Sequence, residues 1–167
     1  MYRIPYFERF NNRLHSNRFF RRSAASNRRV SRVLAKREEM RRMVATKEQY
    51  QNALLKIRDK GKLRNTKYLE MLRAQYASPN HTITATKIAE AVGYENYNAA
   101  NLQYGTLGHE IADILGYVPP KRDNGEPMWF WTLSFGNDAS DKTLDGHYEF
   151  VMRPQLVAAL EGMRWVK

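Results

Sequence analysis

Positive charge is crowded into the front of this 167-residue chain, and that crowding limits what the front can fold into. Residues 1–76 carry 21 Lys/Arg against 6 Asp/Glu, a balance of +15. Residues 77–167 carry 7 against 11, a balance of −4. Like charges packed closely repel one another, so the first half needs a counter-charge that its own sequence does not provide. A polyanion supplies one, and a net charge of +11 with a pI near 10.0 makes DNA the expected partner and RNA the next. The second half cannot attract phosphate by net charge. It must act by shape, by specific contacts, or on a protein.

Hydrophobic residues make up 43% of the chain and aromatic ones 12%, enough for a real core and against wholesale disorder. The length suits one or two small domains. The absence of cysteine excludes disulfides, thiolate chemistry and Cys-based zinc sites, and fits a reducing cytoplasm. No apolar run approaches the length of a membrane span. The opening MYRIPYFERFNNRLHSNRFFRR lacks the apolar segment of a signal peptide, and its interleaved Asn and Pro argue against an amphipathic anchor. A membrane is therefore not an expected partner.

Three regions follow from the pattern. Residues 1–25 show no period and read as a basic aromatic arm, in which Arg18, Arg21 and Arg22 adjoin Phe19 and Phe20. Arginine beside aromatic rings suits phosphate contact and base stacking. Equally, the rings can dock on the protein while the arginines face water. Residues 26–65 read as a basic helical hairpin. Its first helix, about Ser26 to Val44, places Arg28, Arg29, Arg32, Arg37, Arg41 and Arg42 around a thin stripe of Val30, Val33, Leu34 and Met40. Its second starts at a capping-box pair, Thr46 with Gln49, buries Tyr50, Ala53, Leu54 and Ile57, and stops at Gly61.

Residues 66–167 read as a winged-helix-like module. A helix from about Thr66 to Tyr76, with Tyr68, Leu69, Leu72 and Tyr76 inward, is broken by Ser78-Pro79-Asn80. A short helix from Thr84 stops at Gly93, and a longer one, capped by Asn98, runs to Leu115 with Gly116 as its stop. Leu102, Leu107, Ile111, Ile114 and Leu115 form its expected inward face. Gly105 and Gly108 inside it imply a close backbone neighbour or a kink. The two helices make a helix-turn-helix pattern. Met128–Phe135 reads as a strand with Trp129, Trp131, Leu133 and Phe135 on one face, His147–Met152 as its partner, and Pro154 opens a last helix to Gly162. The fold class expected is mainly α with a small β-hairpin, the hairpin being the wing.

The stretch TATKIAEAVGYENYNAANLQYGTLGHEIADILG, the strand MWFWTLSFG and the tail RPQLVAALEGMRWV are similar to an accessory module near the N-terminus of HNH-type, modification-dependent restriction endonucleases. The resemblance covers about half of the chain and implies DNA recognition in a bacterial or phage defence setting. The nuclease half has no counterpart here. His15, His81, His109 and His147 are scattered, so no nuclease activity carries over, and a stand-alone module with a basic extension can instead interfere with host defence.

No phosphate-binding glycine loop, no GxGxxG and no HExxH is present, so no enzyme, cofactor or metal is expected. Asp123, Glu126, Asp138, Asp141 and Asp145 read as solvated turn residues, and His109 with Glu110 as a helix surface pair. On the recognition-type helix, Asn98, Asn101 and Gln103 can pair with base edges, although that helix carries no Arg or Lys. Asn98 can equally be only a cap. Trp129 and Trp131 either form an aromatic pocket for an extruded base or fill the core. Two functions remain: a non-enzymatic DNA-binding protein, or an inhibitor, such as an anti-CRISPR, that docks on a nucleic-acid-handling complex.

Overall fold

The computed structural model describes residues 43–138 and 142–167. Residues 43–167 form a compact unit that is mainly helical, with a small antiparallel sheet. The arm and residues 26–42 of the first expected helix lie outside the described residues. Met43 and Val44 are not helical, so that helix does not reach Val44.

Helix α1 (Lys47–Asp59) begins at the expected capping box. The Thr46 hydroxyl accepts from the Gln49 N–H at 3.3 Å, and Gln49 Oε1 accepts from the Thr46 N–H at 2.8 Å. Tyr50, Ala53, Leu54 and Ile57 are buried, the i, i+3, i+4, i+7 pattern of one helix face. They pack α1 against the last helix, α6 (Pro154–Gly162), and their core also includes Leu107, Ile111, Leu156 and Leu160. The boundary expected at residue 65 therefore falls inside one core, because a stripe this apolar cannot be left to solvent.

A single turn, α2 (Lys62–Asn65), precedes α3 (Tyr68–Ala77), which starts two residues later than expected. Strand β1 (Thr82–Thr84) follows. The Thr84 hydroxyl then accepts from the Lys87 N–H and caps α4 (Ala85–Val92), which ends at Gly93 with φ of 69°. Helix α5 (Tyr97–Leu115) is capped by Asn96, whose Oδ1 accepts from the N–H groups of Asn98 and Ala99. The cap is thus two residues ahead of the one expected, which frees the Asn98 side chain. Gly116, φ 66°, ends this helix in the left-handed conformation that other residues adopt only under strain.

The sheet has order β1-β3-β2, completed by β2 (Ser134–Asn137) and β3 (Glu149–Met152), with both pairs antiparallel. Phe150 stands opposite Ile83 on one side and Gly136 on the other. Strand β1 was not anticipated, because three residues between a broken helix and a cap are too few to establish a period. The aromatic segment departs more from expectation. Trp129–Thr132 is a 3₁₀ turn, and only Ser134–Asn137 is strand. Side chains, not a ladder, satisfy its last two carbonyls, while the Leu133 N–H bonds Phe130 O: Tyr50 donates to Thr132 O at 2.5 Å, and Arg153 Nε to Trp131 O at 2.7 Å. Periodicity cannot reveal such partners 82 and 22 residues away.

One buried carboxamide joins the layers. Gln75 on α3 donates to Ser134 Oγ at 2.9 Å and to Phe150 O at 3.0 Å, and its Oε1 accepts from the Tyr104 hydroxyl of α5 at 2.5 Å. Tyr104 also lies 2.6 Å from Ser134 Oγ. Gln75, Tyr104 and Ser134 are all fully buried. An unmatched buried polar group costs more than a made bond contributes. Gln75→Leu, which nearly keeps the volume but removes the carboxamide from the buried Tyr104 and Ser134 hydroxyls and the Phe150 carbonyl, is expected to lower stability by about 1–3 kcal/mol. Urea unfolding of the full chain measures it, and an unchanged midpoint would contradict the assignment.

Candidate functional site

Helix α5, the start of α4 at Thr84, Ala85 and Thr86, the Trp129–Thr132 turn and the β2–β3 hairpin line an open cleft of about 900 Å³. That lies within the usual size of small-ligand sites. Tyr97, Asn101, Gly105 and His109, spaced by four along α5, form one wall, with Leu102 and Thr106 beside them. The turn contributes Trp129 and Phe130, and the hairpin contributes His147, Tyr148 and Phe150.

The aromatic floor is ordered by ring-on-ring packing. Phe130 meets Tyr148 and Phe150 edge to face, at centroid distances of 5.7 and 5.2 Å. Phe150 in turn stacks on Tyr104 at 5.2 Å. Such geometry is favoured by the ring quadrupoles. Nearer the mouth, His109 stacks on Trp129 with centroids 3.8 Å apart and planes 19° from parallel. The Tyr148 hydroxyl lies over Gly136: a Cβ there would be 1.6 Å from it. Burial, with Asp138 nearby, pushes the Tyr148 pKa up, and Arg122 opposes the shift. Tyr148 is therefore a neutral hydrogen-bonding group throughout the ordinary pH range.

Two glycines of α5 have opposite surroundings. A Cβ on Gly108 would fall 2.3 Å from Trp129 O and 2.8 Å from Trp129 C, both backbone atoms. The absence of a side chain there is what lets the aromatic turn lie on the helix. A Cβ on Gly105 would meet nothing within 4 Å, because it would point into the cleft.

Electrostatically the cleft is unusual for its unit. Residues 43–167 carry 14 Asp/Glu, yet none of the described ones lines it. Its charged or titratable lining consists of Arg122, His109 and His147, besides the tyrosine hydroxyls. Two acids stand one step behind: Glu126 is 3.7 Å from Arg122, and Asp113 is 3.5 Å from His109. Both pairs are surface-exposed and contribute little stability.

Of the expected contact residues, Arg18, Arg21, Arg22, Arg28, Arg29, Arg32, Arg37, Arg41 and Arg42 lie outside the described residues. Asn98 is exposed on the first turn of α5, and Asn101 is exposed and lines the cleft. Gln103 is half-buried and is not part of the lining. Trp129 lines the cleft, but Trp131 is 6% exposed and belongs to the core. The two separate because a 3₁₀ turn, unlike a strand, does not return alternate residues to one face. Leu102, expected inward, is 67% exposed, and Ala100, Tyr104 and Gly108 take the inward positions instead. His109 and Glu110 do not pair: Glu110 accepts from Lys62 at 2.9 Å and from the Tyr68 hydroxyl at 3.3 Å. Tyr97, Gly105, His109 and Tyr148 were missed, although the first three fall with Asn101 at four-residue spacing, a readable signal.

Among the described residues no group of three or more His, Cys, Asp or Glu is placed to hold a metal ion, and no helix is long and apolar enough to cross a membrane. No family model matches the chain, and no curated protein or solved structure matches it.

The glycine pair gives a direct test of this geometry. Gly108→Ala is expected to destabilise by about 1–3 kcal/mol, since backbone must move to admit a methyl. Gly105→Ala is expected to stabilise by about 0.5–1 kcal/mol through helix propensity alone. Thermal unfolding of both variants reads the opposite signs. Equal shifts would show that the cleft and the close contact are misplaced.

Proposed function

We propose that this is a non-enzymatic nucleic-acid-binding protein, in which a polycationic N-terminal segment holds the phosphate backbone and a folded winged-helix-like unit positions it. The observation that carries the reading is where the charge changes. Residues 1–42 hold 13 Lys/Arg against 3 Asp/Glu, whereas the compact unit from residue 43 holds 15 against 14. The folded unit balances its own charge almost completely. The excess of the whole chain resides in the segment before it, and a polyanion is the partner that such an excess suits.

The element order supports the winged-helix part. Helix α3, strand β1, helices α4 and α5, and strands β2 and β3 in the order β1-β3-β2 are the parts such a module needs. In this reading α5 is the recognition element and the hairpin is the wing. DNA recognition in a defence setting is the extension that the motif resemblance implies. A second reading, docking on a protein that handles nucleic acid, is favoured by the exposure of Tyr97 and Leu102 on α5 and by the lack of any Lys or Arg on that helix. Capture of a protein that survives nuclease digestion would favour it.

The test is a gel-shift series with duplex and single-stranded probes at several salt concentrations. Affinity should fall linearly in log-log form. Replacing Arg28, Arg29, Arg32, Arg41 and Arg42 by Ala in the full chain should lower affinity about tenfold or more for every probe and flatten the slope by about one unit per lost phosphate contact. Unchanged binding would remove these arginines from the interface.

A further inference from the structure

We infer that the α5–hairpin cleft is a nucleotide site that holds one unpaired base against the His109–Trp129 stack. This rests on the nucleic-acid reading for its biological source, but the chemistry is carried by the cleft itself.

Shape comes first. Two rings already lie nearly parallel at the wall of the cleft, and His109 is exposed there, so a planar base extends a stack the protein has begun. The volume of about 900 Å³ admits a base with its sugar and phosphate.

Polarity comes second. Asn101 offers an amide that both donates and accepts, as a base edge requires, and it is exposed on the same wall. Arg122 at the mouth supplies a cation for the attached phosphate. No described carboxylate lines the space, in a unit where acids and bases are almost equal in number. A neutral or cationic ligand would require no such exclusion; an anionic one does.

Gly105 is the independent observation. A glycine inside a helix is costly relative to alanine and needs a reason. Gly108 has one, the carbonyl of Trp129 against its backbone. Gly105 touches nothing that a side chain would displace, and the space its side chain would fill is the cleft. Bare backbone at that position keeps the site open to a ligand.

The site explains why α5 carries no Lys or Arg. A helix lying in a groove between phosphate walls gains from cations. A helix that forms the wall of a base pocket gains from amide, ring and bare backbone, which is what this one presents. A single-stranded segment or a free nucleotide provides the same ligand chemistry.

The experiment uses the full chain, its Gly105→Leu variant and the five-arginine variant above. Tryptophan fluorescence is followed on adding thymidine 5′-monophosphate, adenosine 5′-monophosphate, a mixed-sequence single-stranded 12-mer, and its duplex. The wild type should show quenching by the single strand, and Gly105→Leu should weaken that binding about tenfold or more. Its melting temperature should be unchanged or higher, and its salt slope unchanged. The five-arginine variant should instead lose duplex and single strand alike while keeping the response to mononucleotide. Quenching by strand alone assigns the base to a polymer, and equal quenching by monophosphates assigns a free nucleotide; both support the site. If Gly105→Leu does not fold, Gly105→Gln and Asn101→Ala read the same loss. Wild-type binding by the folded cleft variants overturns the inference while leaving the arginine result, and so the nucleic-acid reading, intact. A mononucleotide response lost in Gly105→Leu, without any polymer binding, keeps the site and removes the nucleic-acid reading. No response of the wild type to strand or monophosphate overturns the site.

Discussion

The Gln75 carboxamide meets α5 through Tyr104, β2 through Ser134 and β3 through the Phe150 carbonyl, and every one of these groups is out of water. In so small a sheet, register is held by few ladder bonds, and a slip of one residue would turn Phe150 away from the aromatic floor. The carboxamide prevents that slip, because each of its atoms has a partner only in the observed register. The position of the cleft follows from it. Phe150 fixes Phe130 and Tyr148 by ring packing, and Tyr104 fixes the rotation of α5, which turns Tyr97, Asn101, Gly105 and His109 toward the hairpin.

Helix ends were the most legible part of the sequence. The capping box at Thr46, the left-handed glycines Gly93 and Gly116, and Pro154 at the first turn of α6 all act through local chemistry, so local reading finds them. The Asn96 cap was missed by two residues because Asn96 and Asn98 are equally good caps on propensity alone. The 3₁₀ turn at Trp129 was not legible. Its last two carbonyls are bonded by Tyr50 and Arg153, and its approach to α5 depends on Gly108, so three distant residues decide a conformation that alternation assigned to a strand.

The candidate site was half visible for a related reason. Trp129 and Asn101 were singled out by type, and Trp131 was grouped with Trp129 by a strand period that the backbone does not have. The other wall residues lie four apart on α5, but Gly105 contributes by lacking a side chain, and His109 by a ring contact with a turn 20 residues on. Sequence pattern rewards apolar periodicity; a ligand wall interrupts it. The exposed Leu102, which fitted an inward stripe, shows the same limit. In the proposed function the two parts of the chain divide their work by physical range: charge in residues 1–42 would act over about a Debye length, whereas the cleft would act only at contact.

A heteronuclear NMR titration of the full chain with a single-stranded oligonucleotide at low salt tests that division most directly. The account predicts that backbone amides before residue 43, the amides of Tyr97 to His109 and the Trp129 indole N–H all shift and saturate together, while the indole signals of Trp131 and Trp165 stay in place. Shifts confined to the folded unit, or no shift of the arginine-rich amides at all, would contradict it.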